Sequence, residues 1–222
     1  MTVLLVLTTF FVFIVLDYFL NRRKVMATVA VEAKAVPAQA GGDYVNGFLV
    51  PNSLSYHSGH SWLLRERKNV VRVGADEFAA ALAGKIERIE LPKPGQWIRQ
   101  GQRVLALFRD GEKTEMVSPT EGEVMEVNAE LAHNPSLLRQ DPYGKGWLLS
   151  VHVPDEENTA RNLVPKMLVR EWMREAVDRL YARQPQFAGL VAADGGRPAE
   201  DLLKGLPEVN WREVTAEFFL TA

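Results

Sequence analysis

Alternating apolar and polar positions predict a β-hairpin between residues 104 and 118. Two runs rich in strand-forming side chains, 104–109 and 114–118, flank the pair Asp110-Gly111. Asp-Gly between two such runs is a strong hairpin signal, because both central positions of a tight turn favour residues that tolerate a positive φ. The neighbouring proline and glycine turns lead into further alternating runs. Many short strands of this kind are typical of a small sandwich or flattened barrel.

The same alternation predicts further strands at residues 63–65, 70–73, 85–91, 97–98, 122–128 and 147–152. Two short helices are expected between them. The first covers residues 76–83 and begins at Asp76, whose side chain can accept a hydrogen bond from the first turn. The second covers residues 134–139, with Asn134 as its cap and a proline at its first position. The predicted fold class is therefore α+β.

Helical periodicity dominates the C-terminal part, residues 154–222. Apolar residues recur there at three- and four-residue steps, and Asn210 with Glu213 is spaced as a capping box. The predicted helices are 165–183, 198–203 and 211–220. So short a helical extension buries too little surface to be stable alone. We therefore expect it to pack on the preceding domain or on a partner subunit.

The N-terminal segment, residues 3–20, is almost entirely apolar, with its one charge at Asp17 and basic residues directly after it. As a helix it would be about 27 Å long, close to the roughly 30 Å hydrocarbon core of a bilayer. Positive charges that follow the apolar run favour an anchor over a cleaved signal peptide. The prediction is a single transmembrane helix in a bacterial-type inner or cytoplasmic membrane, with the N-terminus outside and the main domain in the cytoplasm. Asp17 is expected at the interface, and its contact with another transmembrane helix stays open.

These patterns divide the chain into a transmembrane anchor with a basic flank, a tether, a β domain and a helical extension. The corresponding residues are 1–24, 25–55, 56–153 and 154–222.

Composition excludes several functions. A formal net charge of −2 gives no basic field for nucleic acid, and the absence of cysteine excludes disulfides and thiol catalysis. His57 and His60 lie three apart in a segment predicted to be extended, on opposite faces, so we expect a hydrogen-bonded structural role and no metal site. No base, nucleophile and orienting group come together. The sequence therefore predicts no catalytic residue and no enzyme.

Several longer motifs resemble one family. They are YHSGHSW (56–62), VRVGADEFAAALAGKIERIELPKPGQWIRQGQ (71–102), SPTEGEVMEVNAEL (118–131) and NPSLLRQDPYGKGWLLSV (134–151). In this order they resemble the H protein of the glycine cleavage system. The resemblance implies a barrel-sandwich hybrid of the lipoyl-carrier type over residues 56–153, with a lysine near the hairpin tip that bears lipoate.

The hairpin departs from the family at that lysine. Counted back from Pro119 without a gap, the family's lipoyl-lysine position falls on Gly111, and its acidic residue three places earlier falls on Phe108. Glycine has no amine that could form the amide to lipoate. The nearest amine belongs to Lys113. Without a cofactor, Lys113 would be an ordinary solvated lysine of the turn. The prediction is therefore no cofactor and no cofactor-binding residue, with a displaced lipoyl site at Lys113 as the alternative.

Three functions follow from these observations. The favoured one is a non-catalytic, non-lipoylated structural or accessory subunit of a membrane complex, for which a respiratory or photosynthetic electron-transfer complex is the natural host. Its partners would be the bilayer, through residues 3–20, and other protein subunits, but not nucleic acid. The alternative is a lipoate carrier of glycine and one-carbon metabolism that uses Lys113. A ligand-sensing module is the third.

Overall fold

The computed structural model describes residues 11, 13, 41–183, 201–204 and 210–222. Chain contacts divide the protein into two compact units, Met1–Lys34 and Ala35–Ala222. The predicted anchor, residues 3–20, lies outside the described residues except for Phe11 and Phe13, which are helical. Within the described ranges, no helix has the length and apolar character needed to cross a membrane.

The described part of the second unit consists mainly of short strands. They are β1 (Gly42–Val45), β2 (Phe48–Pro51), β3 (Ser55–His57), β4 (Ser61–Arg67), β5 (Val70–Ala75), β6 (Arg88–Glu90), β7 (Trp97–Ile98), β8 (Arg103–Arg109), β9 (Glu112–Val117), β10 (Gly122–Val127) and β11 (Leu149–His152). The helices are α1 (Glu77–Ala83), α2 (Glu130–His133), α3 (Leu137–Gln140), α4 (Glu156–Arg161), α5 (Val169–Arg183) and α6 (Trp211–Phe218). A 3-10 turn, Lys166–Leu168, precedes α5.

The strands form two main antiparallel sheets. One has the order β3-β4-β5-β11-β10-β7, and the other has the order β6-β8-β9. β1 and β2 form a separate hairpin, from which Phe48 packs against Phe78 of α1 with ring centroids 5.4 Å apart. Buried side chains from both sheets and from α1, α5 and α6 form one hydrophobic cluster. The predicted sandwich of short strands is confirmed.

Helix α1 shows how local chemistry sets its bounds. The Asp76 carboxylate accepts a hydrogen bond from the Ala79 N–H at 2.8 Å and begins the helix. Gly84 ends it with a φ of 70°, a conformation that favours glycine. Both features agree with the prediction from sequence.

The predicted helix at residues 134–139 is partly wrong. Only α3 overlaps this range, beginning at Leu137, while α2 ends at His133 before it, and neither helix has a side-chain cap. Asn134 ends α2, and its carboxamide oxygen accepts the hydroxyl of Ser136. That oxygen is therefore engaged with a side chain and caps no backbone N–H. The strand predicted at 85–91 is also shorter, since only Arg88–Glu90 pairs.

The C-terminal helices agree with the periodicity of the sequence. Helix α5 buries its apolar stripe, which consists of Val169, Met173, Ala176, Val177 and Leu180. Asn210 caps α6 by accepting the Glu213 N–H at 3.1 Å, as the capping-box spacing predicts. The helix predicted at 198–203 falls partly outside the described residues, and its described end, 201–203, forms the beginning of a turn.

Candidate functional site

The hairpin of β8 and β9 has the predicted tight turn. Arg109 pairs with Glu112, and the two residues between them, Asp110 and Gly111, have φ values of 51° and 79°. Two consecutive positive φ values define the primed turn whose twist matches that of the flanking strands. The residues at this apex are exposed. The Asp-Gly signal in the sequence is confirmed.

Strand alternation gives the hairpin two different faces. The inner face consists of Leu105, Leu107, Thr114 and Met116, all of which are buried. The outer face contains Lys113 opposite Phe108, and Glu115 opposite Ala106. The lysine that the sequence singled out therefore projects away from the core.

The Lys113 amine is accessible and lightly held. Its Nζ lies 2.7 Å from Oε1 of Glu115, and the lysine side chain is 48% exposed. An ion pair between exposed groups contributes little free energy, because water screens it and two long side chains must be ordered. The amine can therefore leave Glu115 at little cost.

Phe108 occupies the position beside Lys113 on the outer face. The Arg88 guanidinium lies 3.6 Å from the centroid of the Phe108 ring and also pairs with Glu90. A cation over an aromatic face is favourable, and it covers the ring from solvent. The outer face around Lys113 is thus a charged and partly apolar surface, in which opposite charges are paired.

Gly111 lies at the apex of the turn. A Cβ atom built there would have no other atom within 4 Å, so the space around the apex is open. A side chain at this position would meet strain from the positive φ and no steric contact. The structure therefore places Gly111 and Lys113 two residues apart on the same exposed end of the hairpin.

His60 lies in the core, where its side chain is fully buried. Its Nδ1 is 2.9 Å from Oδ2 of Asp76, and its ring lies between those of Phe78 and Trp172, with centroids 4.5 and 4.7 Å away. The expected hydrogen-bonded role agrees with this geometry. Sequence reasoning identified Asp76 as a helix cap but missed this second contact, for which residue spacing gave no signal.

His57 is also largely buried. Its Nδ1 accepts the Gly59 N–H at 3.1 Å. Burial lowers the pKa of His57 below its ordinary value, and the nearby His60 lowers the pKa further. Within the described ranges, no group of three or more His, Cys, Asp or Glu residues is arranged to hold a metal ion.

Comparison with known proteins points to one family. The family model described as "Glycine cleavage H-protein" matches residues 54–176. A glycine cleavage system H protein from Mycobacterium leprae (strain Br4923) is 39% identical over 110 residues, which are 48% of this chain and 80% of the relative. The protein of the same name from Bifidobacterium longum (strain NCC 2705) is 34% identical over 108 residues, or 49% and 78% of the two chains.

Two further matches carry the same name. The glycine cleavage system H protein from Mycobacterium tuberculosis (strain ATCC 25618 / H37Rv) is 35% identical over 115 residues, which are 50% of this chain and 83% of the relative. A crystal structure of a glycine cleavage system H protein from Mycobacterium marinum aligns with a TM-score of 0.49 at 24% identity. It covers 57% of this chain and 98% of that one.

These matches overturn the favoured prediction of function. The relatives are named for glycine cleavage, not for electron transport or photosynthesis, so the prediction of an accessory subunit in such a complex is wrong. The prediction failed because it took the missing amine at Gly111 as decisive and ranked the amine of Lys113, on the same hairpin, only as an alternative.

The predictions about the membrane are corrected by the same comparison. A membrane protein with a bilayer contact through residues 3–20, subunits of a membrane complex as partners and an inner-membrane location was expected. The relatives carry the name of the glycine cleavage system, and no described helix is suited to cross a bilayer. The predicted span rested on the apolar run, its length and the basic residues after it.

Proposed function

Because the chain belongs to the glycine cleavage H-protein family, we propose that it is a lipoate carrier of glycine metabolism with its lipoyl group on Lys113. The observation that carries the proposal is the exposed Lys113 amine on the outer face of the hairpin, directly after the apex. It acts as a carrier for the enzymes of its pathway and catalyses no step itself.

The proposed lipoyl site lies two residues away from the position that the family pattern gives. The ungapped alignment to Pro119 puts Gly111 where the family has its lipoyl-lysine, and glycine has no amine. Between residues 103 and 117, Lys113 is the only lysine in the sequence. Successive residues of a strand alternate between faces, so residues two apart point to the same side. An arm on Lys113 would leave from the outer face of β9, two residues after Gly111 of the turn.

The residues around Lys113 fit a lipoyl group. Its amine can form an amide with the carboxyl group of lipoate, and among the described residues it forms an ion pair with Glu115 alone. The free space around Gly111 leaves room for a long arm to move. When bound, the group would supply a dithiolane ring that carries reaction intermediates and electrons, a chemistry that this cysteine-free chain lacks.

The hairpin that carries Lys113 is packed against the body of the domain. The inner face of the hairpin is buried against the core, and the turn residues have the φ values that the strand twist requires. A group on Lys113 would therefore move relative to a fixed base. We propose residues 56–153 as the carrier domain, with residues 1–24, 25–55 and 154–222 flanking it.

Intact mass tests the proposal. The full chain is produced together with a lipoate–protein ligase and free lipoate, and its mass is compared with those of Lys113→Arg and the control Lys93→Arg. We expect one lipoyl increment on the wild-type chain and on Lys93→Arg, and none on Lys113→Arg. A wild-type chain without the increment, or with lipoate on another lysine, refutes the proposal.

A further inference from the structure

A C-terminal segment outside the family match contacts the hairpin that bears Lys113. We call its described residues, 201–204 and 210–222, the C-terminal brace. The family match ends at residue 176, so the brace is an addition to the family domain. Its contacts reach both strands of the hairpin.

The first contact is an ion pair near the tip. Nη1 of Arg109 lies 3.0 Å from Oδ1 of Asp201, and the two side chains are 15% and 8% exposed. The same guanidinium group donates to the Ala83 carbonyl at the end of α1, at 3.4 Å. Because this pair is largely shielded from water, its attraction is screened less than that of the exposed pair of Lys113 with Glu115. The last residue of β8 is therefore tied to the body of the domain.

The second contact lies beside Lys113 in the sequence. The hydroxyl oxygens of Thr114 and Thr215 are 2.8 Å apart, and both side chains are buried. Thr215 lies on α6, whose Phe218 packs against Phe78 with ring centroids 5.2 Å apart. α6 thus packs against the inner face of the hairpin at Thr114, the residue directly after Lys113.

The third contact covers the edge of the sheet. Strand β9 is the last strand of its sheet, so one row of its backbone groups faces away from β8. The Thr221 hydroxyl donates to the Glu115 carbonyl at 3.4 Å, and Arg103 donates to the Thr221 carbonyl at 2.6 Å. The end of the chain therefore connects β9 with the start of β8.

We propose that the C-terminal brace restrains the hairpin and that Asp201 and Thr215 are positioning residues for Lys113. Isolated hairpins are only marginally stable in water. The brace contacts residues 109, 114 and 115, on both sides of Lys113, and reaches them from the inner face and the edge. The outer face stays free for modification. The role of the brace in positioning the Lys113 amine for lipoylation rests on the function proposed above, whereas the restraint of the hairpin does not.

Hydrogen–deuterium exchange on the full chain tests the restraint. Thr215→Val removes the hydroxyl with little change of shape, and Asp201→Asn removes the charge. The matched control is Thr159→Val, which breaks a similar buried threonine pair, Thr120 with Thr159, whose oxygens are 3.1 Å apart. We expect about fivefold faster exchange of the amides of residues 109–117 in both brace variants, and unchanged exchange there in the control. Unchanged exchange in both brace variants overturns the proposal.

Kinetics of lipoate transfer to Lys113 test the positioning. With a lipoate–protein ligase, we expect the KM for Thr215→Val to rise severalfold at an unchanged kcat, and Thr215→Ser to restore the wild-type KM. Faster amide exchange in the hairpin together with an unchanged KM would refute the positioning role. If the wild-type chain accepts no lipoate while exchange responds as expected, the proposed function fails and the restraint stands.

Discussion

The two faces of one hairpin differ in how firmly their side chains are held. On the outer face, Lys113 and Glu115 form an ion pair that is open to water. On the inner face, Thr114 and Met116, which alternate with them in the sequence, are buried. Neighbouring residues of one strand can therefore have different environments, because successive side chains point to opposite faces of the sheet. The side that carries Lys113 is exposed to water, and the side beneath it is packed.

The largest effect is expected from a cavity beneath the inner face. Phe218 of α6 is buried against Phe78 and His60, and Arg179 lies over its ring. Phe218→Ala should lower the free energy of unfolding by about 3–5 kcal/mol, because a buried aromatic ring is lost and the cavity closes only partly.

Urea denaturation measures this loss, and the exposed Arg212→Ala on the same helix is the control. That control should change the unfolding free energy by less than about 0.5 kcal/mol. Similar values for the two variants would mean that the inner side of the hairpin depends little on α6.

The second effect concerns the apex. Gly111→Lys puts an amine at the apex of the turn, at a φ that non-glycine residues adopt with strain. We expect a cost of about 1 kcal/mol in unfolding free energy. We also expect lipoylation at residue 111 when the change is combined with Lys113→Arg, because the apex has free space.

Urea denaturation and intact mass check the two expectations. Gly111→Asn is the control, since asparagine tolerates a positive φ and brings no amine. A combined variant that folds but remains unmodified would show that exposure at the tip is insufficient for modification.

Local signals made much of this hairpin predictable. Asp110 with Gly111 specified the turn, and Asn210 with Glu213 specified the start of α6, because each effect acts over a few residues. The contact between Thr114 and Thr215 had no such signal, since it joins residues distant in the sequence. The placement of β11 between β5 and β10 is equally non-local.

The error in function had a related cause. The sequence comparison showed that Gly111 lacks an amine, but the accessibility of Lys113 depends on which face of β9 it occupies. That face follows from the register of β8 with β9 and from the helix that covers the other side. A single aligned position therefore carried less information about the site than the geometry of the whole hairpin.

A third effect lies beside the brace and depends on pH. Gly59 lies between His57 and the brace, since a Cβ there would be 3.3 Å from Nδ1 of His57 and 3.4 Å from the Phe219 carbonyl oxygen. Burial, and then His60, keep the pKa of His57 below its ordinary value of 6.5. The unfolded chain therefore binds a proton more readily, and stability falls as the pH drops below about 6.5.

Urea denaturation at several pH values measures this dependence. His57→Gln should reduce the fall in stability on acidification, by less than the cost of Gly111→Lys. The exposed His133→Gln, which removes an imidazole outside the contact of His57 with Gly59, is the control. If the unfolding free energy of wild type and of His57→Gln depends equally on pH, His57 is not the source of the pH dependence.

The smallest effect is expected on the outer face. Glu115→Gln removes the charge that pairs with Lys113 at 2.7 Å and with Arg103 at 3.8 Å, and all three side chains are partly exposed. We expect less than about 0.5 kcal/mol of change in unfolding free energy, since exposed pairs contribute little. Glu90→Gln, which breaks the pair with Arg88 on the same sheet, should behave alike. A loss above about 1 kcal/mol for Glu115→Gln alone would show that the ion pairs of the outer face are firmly held, and the contrast between a solvated outer face and a packed inner face would then be wrong.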